Sequence, residues 1–368
     1  LVRTLPQKAP ALVDAKKTLP AGPVASVSDG TKSQNRTYQD LLKNPTDEQN
    51  FETLVTSELV KISVSGKVEK FKPAAMYAGE SMSPDGNYVM VTTIHKPFSY
   101  IVPLSRFPQK SIVYDKNGKE IKLVNDVPLT EIMPKGFSSV RKGKRSMGWR
   151  ADKPATIVYV VALDEGDQAN NVEFRDELFL WDAPFSNQPV SIMKTLQRYG
   201  GVSWGNDTLA LVSDNWYDTR NEKGYLINPS KPGAQPRILM DRNYQDIYSD
   251  PGVIESTKNQ YGRYVMMIEN NQAFLMGEGH TPEGQFPFID ALDLGTLKKT
   301  RLYQSTATDK KEDLISILDA KKGEVLVMMQ SKNEFPNYYL RNLKARMAPV
   351  QLTNFKNPFE SIANVEKE

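Results

Sequence analysis

Few groups in this chain of 368 residues could do covalent chemistry, and their spacing limits what each can do. G-V-S-W-G, Gly201 to Gly205, fits the G-x-S-x-G pattern of a serine nucleophile. That pattern lifts a hydroxyl only where a strand turns sharply into a helix. Here N-D-T-L-A-L-V-S-D follows, a turn and then a strand, so Ser203 reads as structural and no catalytic residue is assigned. His280 lies in a Gly-rich loop, G-E-G-H-T-P-E-G, and His95 ends a strand beside Lys96 and Pro97. With two histidines and no cysteine there is neither a thiolate nor enough imidazole for a transition-metal site. No metal and no other cofactor is expected.

Charged groups offer more. Asp164, Glu165 and Asp167 fall together near Asn170 and Asn171, but their spacing does not fit a helix-loop-helix calcium loop. A solvated hairpin tip is expected there. Paired carboxylates can also serve as a glycosidase acid and base, which keeps a glycan-acting enzyme open as an alternative. From Lys135 to Arg150 the chain carries Lys135, Arg141, Lys142, Lys144, Arg145 and Arg150 with no acidic residue among them. One reading is a solvated loop. The other is that Arg141, Arg145 or Arg150 pairs with a carboxylate of a bound ligand, since the planar guanidinium fork matches that group. Arg220, in W-Y-D-T-R, is a further candidate of the same kind.

The elements that would position these groups are strands. From Ser146 to Asp182 a short apolar piece ends at Trp149, a turn spans Ala151 to Pro154, and a strand over Thr156 to Leu163 follows, rich in β-branched and aromatic residues. A polar excursion leads to a third strand at Leu178 to Trp181. The same order recurs around S-P-D-G, with strands expected at Tyr88 to Ile94 and Ser99 to Leu104. It recurs again after W-G-N-D, with Thr208 to Ser213 and Gly224 to Ile227, and after D-A-K-K-G, with Glu324 to Met329 and Asn337 to Leu343. A less regular copy runs from Arg263 to Leu294, and Glu58 to Phe71 supplies part of a sixth. Sheets of four strands repeating every roughly 40 to 60 residues read as propeller blades, with a two-sheet sandwich as the competing arrangement. Before them, Thr37 to Leu59 reads as two short helices, the first stopped by Pro45 and the second begun at Asp47. A hairpin signal, K-N-G-K at Lys116 to Lys119, precedes a long connection, Pro128 to Arg145, and long connections in compact domains are often functional.

Composition narrows the partners. Lys plus Arg is 47 against 44 for Asp plus Glu, a net charge of +3 that does not point to nucleic acid. No run of 18 apolar residues is present, so no membrane span is expected. The amino terminus has no charged-then-apolar leader pattern, and a cleaved leader would leave the same sequence.

With these residues laid out, the chain resembles the amino-terminal propeller of serine peptidases of the prolyl oligopeptidase family, in the glutamyl-endopeptidase-like branch. The resemblance covers nearly the whole chain. It rests on Y-Q-D-L-L (Tyr38 to Leu42), P-F-S-Y-I-V-P (Pro97 to Pro103), W-R-A-D-K-P-A-T (Trp149 to Thr156), A-L-D-E-G-D (Ala162 to Asp167), F-L-W-D-A-P-F (Phe179 to Phe185), G-E-G-H-T-P-E-G (Gly277 to Gly284) and F-P-N-Y-Y-L-R (Phe335 to Arg341). It implies an all-β fold, a β-propeller of seven four-stranded antiparallel blades. Residues 1–36 would form an extended segment, 37–357 the propeller, and 358–368 the start of a linker to a carboxy-terminal α/β-hydrolase domain carrying Ser, Asp and His. In such a protein the propeller gates access of peptide substrates, and the basic stretch would face the chamber between the two domains. A periplasmic or exported setting is favoured over the cytoplasm. An autonomous protein-binding scaffold is the main alternative from another class.

Overall fold

The computed structural model describes residues 1–14, 17, 38–345 and 347–358. Most of the expected linker and part of the expected amino-terminal segment, with Thr37, lie outside them. Two compact units divide the chain, Leu1–Tyr199 and a second beginning at Gly200.

In the first unit β1 (Val2–Thr4) is followed by α1 (Pro45–Val55), β2 (Thr56–Ile62) and β3 (Val68–Met82). Pro45 does not stop a helix; it begins one. Asn44 caps α1, its side chain accepting from the Asp47 N–H, and proline suits this first position because its missing N–H would have no partner there anyway. The two expected helices are therefore one, and residues 38–44 are not helical.

β3 serves two sheets. Its first part pairs with β2, and β2 also accepts β1 with Val2 opposite Val60. Its second part, from Tyr77, pairs with β4 (Tyr88–Ile94), which continues to β5 (Gln109–Asp115) and β6 (Glu120–Val127). The β5–β6 turn is the expected one: Asp115 accepts from the N–H groups of Asn117 and Lys119, and Gly118 takes the left-handed conformation. The third strand of this sheet is β5, not the expected Ser99 to Leu104. Pro97 and Pro103 bracket that segment and cannot donate to a ladder, so it forms a loop instead. Its Val102 still packs with Ile94 and Phe107 in a small core covered by Phe98 and Phe51.

The next sheet is β7 (Arg145–Trp149), β8 (Thr156–Ala162), β9 (Asp176–Asp182) and β10 (Val190–Thr195), all antiparallel. Residues Thr156 to Val160 of β8 are buried without alternation, as expected of a strand covered on both faces. One cover is the preceding sheet: Met90, Val113 and Val124 meet Ile157, Tyr159, Trp181 and Phe185. Phe185 is fully buried, edge-on to Tyr88 at 5.6 Å and to Trp181 at 5.9 Å.

The second unit repeats the plan. It contains β11 (Arg198–Asn206), which starts in the last residues of the first unit, then β12 (Leu209–Trp216), β13 (Asn221–Ile227) and β14 (Arg237–Asn243). A sheet of Val253–Ile254, Gln272–Gly277, Phe288–Asp293 and Lys299–Gln304, with a short extra strand, follows. The last is Lys311–Asp319, Glu324–Gln330, Asn337–Asn342 and Val350–Gln351. Between these two, Phe274, Ile289 and Ala291 pack on Ile317, Val325 and Val327.

Strand direction alternates within each sheet, so the link from second to third strand and the link leaving the fourth strand emerge at the same end. In the first unit this collects residues 95–108, 128–144 and 163–175.

Candidate functional site: a basic cleft on the 128–144 connection

The long connection flagged from sequence folds into a cleft of 470 Å³. Val127, Pro128, Leu129, Ile132, Met133 and Pro134 give it apolar walls, and Arg141 and Lys142 bring cations to it. Its first half is laid on the 95–108 loop. The Thr130 N–H donates to Arg106 O at 3.0 Å, and Ser99 Oγ donates to Glu131 Oε1 at 2.7 Å. Leu129 packs against the small core of Ile94, Val102 and Phe107.

The second half is clamped to the 163–175 loop. Val140 N–H donates to Gly166 O and Ser138 N–H to Gln168 Oε1, both at 2.9 Å. A Cβ on Gly166 would stand 2.1 Å from Val140 O, so only glycine allows this approach. Beneath lies a charged lattice. Arg198 donates to Asp164 Oδ2 at 2.6 Å, to Asp176 Oδ1 at 2.9 Å and to Ser138 O at 2.7 Å. Arg175 reaches Asp164 at 3.1 Å, and Arg145 contacts Asp176. Burial works against the Asp164 charge, but the bonds from Arg198, Arg175 and the Gly166 N–H outweigh it and hold the carboxyl below its usual range. Burial likewise opposes the charge of Arg198, and its two aspartates outweigh it and raise its pKa.

Asp164 is thus corrected. It is 1 % exposed and is no part of a solvated tip. Glu165 and Asp167 do lie on the turn, Glu165 exposed and paired with Lys142. Asp176, Arg175 and Arg198 were not visible as positioning residues, because each is an ordinary charged residue until a partner 11, 22 or 34 residues away in the chain is brought to it.

The four arginine candidates separate. Arg145 begins β7, and Arg150 follows its end. Arg150 is 3 % exposed and grips Asp152 through two bonds of 2.8 Å. Arg145 is nine-tenths buried against Asp176. Tyr199 lies in its field: burial pushes that phenol up to about 12 while Arg145 opposes the rise. Arg141 lines the cleft. It donates to the backbone carbonyls of Lys142, at 3.1 Å, and Lys144, and has no carboxylate partner among the described residues. Burial lowers its pKa, and the nearby charge of Arg145 adds to that. Lys144 is spent on structure, its ammonium over the Trp181 ring at 4.6 Å. In the second unit Arg220 stacks on Tyr217 at 3.6 Å and donates to Tyr244 Oη at 3.3 Å. Its φ of +56° is in the left-handed region.

The serine pattern resolves as expected. Ser203 lies inside β11, whose successor is strand β12, so the strand-to-helix turn a nucleophile elbow needs is not formed at this position. His280 sits in a two-residue hairpin strand.

Successive antiparallel sheets, packed face to face within each unit, define this as an all-β protein built of β-propeller blades. No family model matches the chain. Two plant proteins named probable glutamyl endopeptidase, chloroplastic, are similar along almost its whole length. The one from Oryza sativa subsp. japonica is 39% identical over 369 residues, 96% of this chain and 39% of that protein. The one from Arabidopsis thaliana is 37% identical over 371 residues, 96% of this chain and 38% of that protein. The chain therefore spans about two fifths of the curated relatives it matches. It is homologous to these two proteins, and the resemblance read from its motifs holds. Among solved structures, the β-propeller domain of the trilobed protease from Pyrococcus furiosus aligns over 84% of this chain and 77% of that one, at 11% identity and a TM-score of 0.39. Among the described residues no helix is long and apolar enough to cross a membrane.

Proposed function

We propose that this chain is the non-catalytic, peptide-admitting propeller of a serine endopeptidase, and that its Arg141 cleft receives an acidic side chain of the peptide. The α/β-hydrolase domain of the same protein is its partner and supplies the chemistry of peptide-bond hydrolysis. The observation that carries the cleft assignment is the guanidinium of Arg141, partly desolvated, at an apolar-walled cavity and without a carboxylate of its own among the described residues. A long acidic side chain matches both features: methylenes against Ile132 and Met133, carboxylate toward Arg141. Arg145 keeps the region positive while Asp176 holds its place, and Arg150 is held by Asp152.

The reading is tested on the chain itself by nitrogen-15 NMR of the arginine side chains. Adding a capped peptide with one glutamate should move the Arg141 Nε–H signal, and the matching glutamine peptide should not. Equal shifts with both, or none with either, would refute the assignment.

A further inference from the structure

Glu165 is paired with a cation of the cleft. Its Oε2 lies 2.7 Å from Nζ of Lys142, one of the two cations of the cleft, whereas Glu131, the acid that lines the cleft itself, accepts from Ser99 Oγ. The position is held from both sides. Asp164, one residue before, is locked by Arg198 and Arg175, and Gly166, one residue after, is pinned on Val140. Glu165 itself is held at φ +57°, a left-handed conformation that a non-glycine residue keeps only when its surroundings enforce it. Its bond to Lys142 and the Lys142 charge depress its pKa, so it remains a carboxylate at neutral pH. Both side chains are more than two-thirds exposed, so the pair is weak enough for an incoming carboxylate to displace.

We propose that Glu165 is a specificity-determining residue, an internal competitor that occupies Lys142 and so sets how strongly an acidic peptide is held at the Arg141 cleft. This rests on the reading of the cleft given above. A peptide carboxylate entering beside Arg141 exchanges one partner of Lys142 for another. The net gain is smaller than two free cations would give, and release of the peptide is correspondingly easier.

The test measures Kd by titration of this chain with a capped alanine pentapeptide holding one central glutamate, and with its glutamine twin, at low and at high salt. Glu165→Gln should tighten the glutamate peptide about two- to five-fold at low salt and leave the glutamine peptide unchanged, the gain vanishing at high salt. Glu120→Gln, which removes the same charge at the end of β6 away from the cleft, should change neither. Lys142→Gln combined with Glu165→Gln should abolish the gain, as a double-mutant cycle requires. If Arg141→Gln weakens the glutamate peptide while Glu165→Gln does not tighten it, the competitor role is wrong and the cleft reading stands. If wild type and Glu165→Gln both bind the two peptides equally, both are wrong.

Discussion

Arg198 and Asp164 form a buried pair, Nη2 to Oδ2 at 2.6 Å, that ties the start of β11 to the loop after β8 and, through Ser138, to the connection that forms the cleft. The pair is worth little if replaced as a whole, since two desolvated charges roughly cancel their mutual attraction. Broken on one side it leaves an unpaired buried charge. Asp164→Asn should therefore destabilise the first unit by about 3–5 kcal/mol, seen as a fall in Tm on the order of 10 °C. A change under about 2 °C would show that the lattice is dispensable.

The same aspartate sets a pH dependence. Its carboxyl is held below the ordinary value of 3.8, so the unfolded chain takes up protons first as pH falls. Its stabilisation is complete above that value and is lost as pH drops through the lower, folded one. Tm should be nearly level from neutral pH down to about pH 5 and fall steeply in the acid range, and Asp164→Asn should flatten part of that fall. An identical acid profile in the variant would contradict the assignment.

A third expectation concerns β1. Its three residues cover an edge of β2, Leu1 packs against the core of Leu59, Phe71 and Tyr77, and Arg3 reaches Tyr77 O at 2.8 Å and Glu80 at 2.9 Å. Deleting residues 1–6 strips an edge strand and exposes that core, which should cost on the order of 1–3 kcal/mol. Thermal unfolding checks it, and an unchanged Tm would show that β2 needs no cover.

What could be read from the residues follows from where the physics is local. The strands from Arg145 to Asp182 and the turn at Lys116 to Lys119 announce themselves, because β-branched runs and a glycine at a positive φ act within a few residues. Pro45 misleads, because the same ring that breaks a helix interior also starts a helix when an Asn precedes it. Asp164 misleads for another reason: beside Glu165 and Asp167 it looks solvated, and it is Arg198 and Arg175, brought to it from later in the chain, that make its burial tolerable. The cleft was legible as a long basic connection but not as a cavity. Which of its arginines stays unpaired depends on the positions of Asp152 and Asp176.

Ser203 gives a fourth expectation. It lies in a strand, so this chain alone should show no turnover of fluorogenic peptides carrying a leaving group after glutamate. Turnover that disappears in Ser203→Ala would overturn both its structural reading and the assignment of catalysis to another domain.

The central claim, that Arg141 reads an acidic side chain, is tested most directly by kinetics of the full-length protein on matched glutamate and glutamine peptides. A partly desolvated arginine to carboxylate bond contributes about 1.5–3 kcal/mol, so Arg141→Gln should lower kcat/KM on the glutamate peptide about ten- to a hundred-fold. The glutamine peptide should be nearly unaffected and Tm unchanged. Equal losses on the two peptides, or no loss on either with the fold intact, would contradict the account.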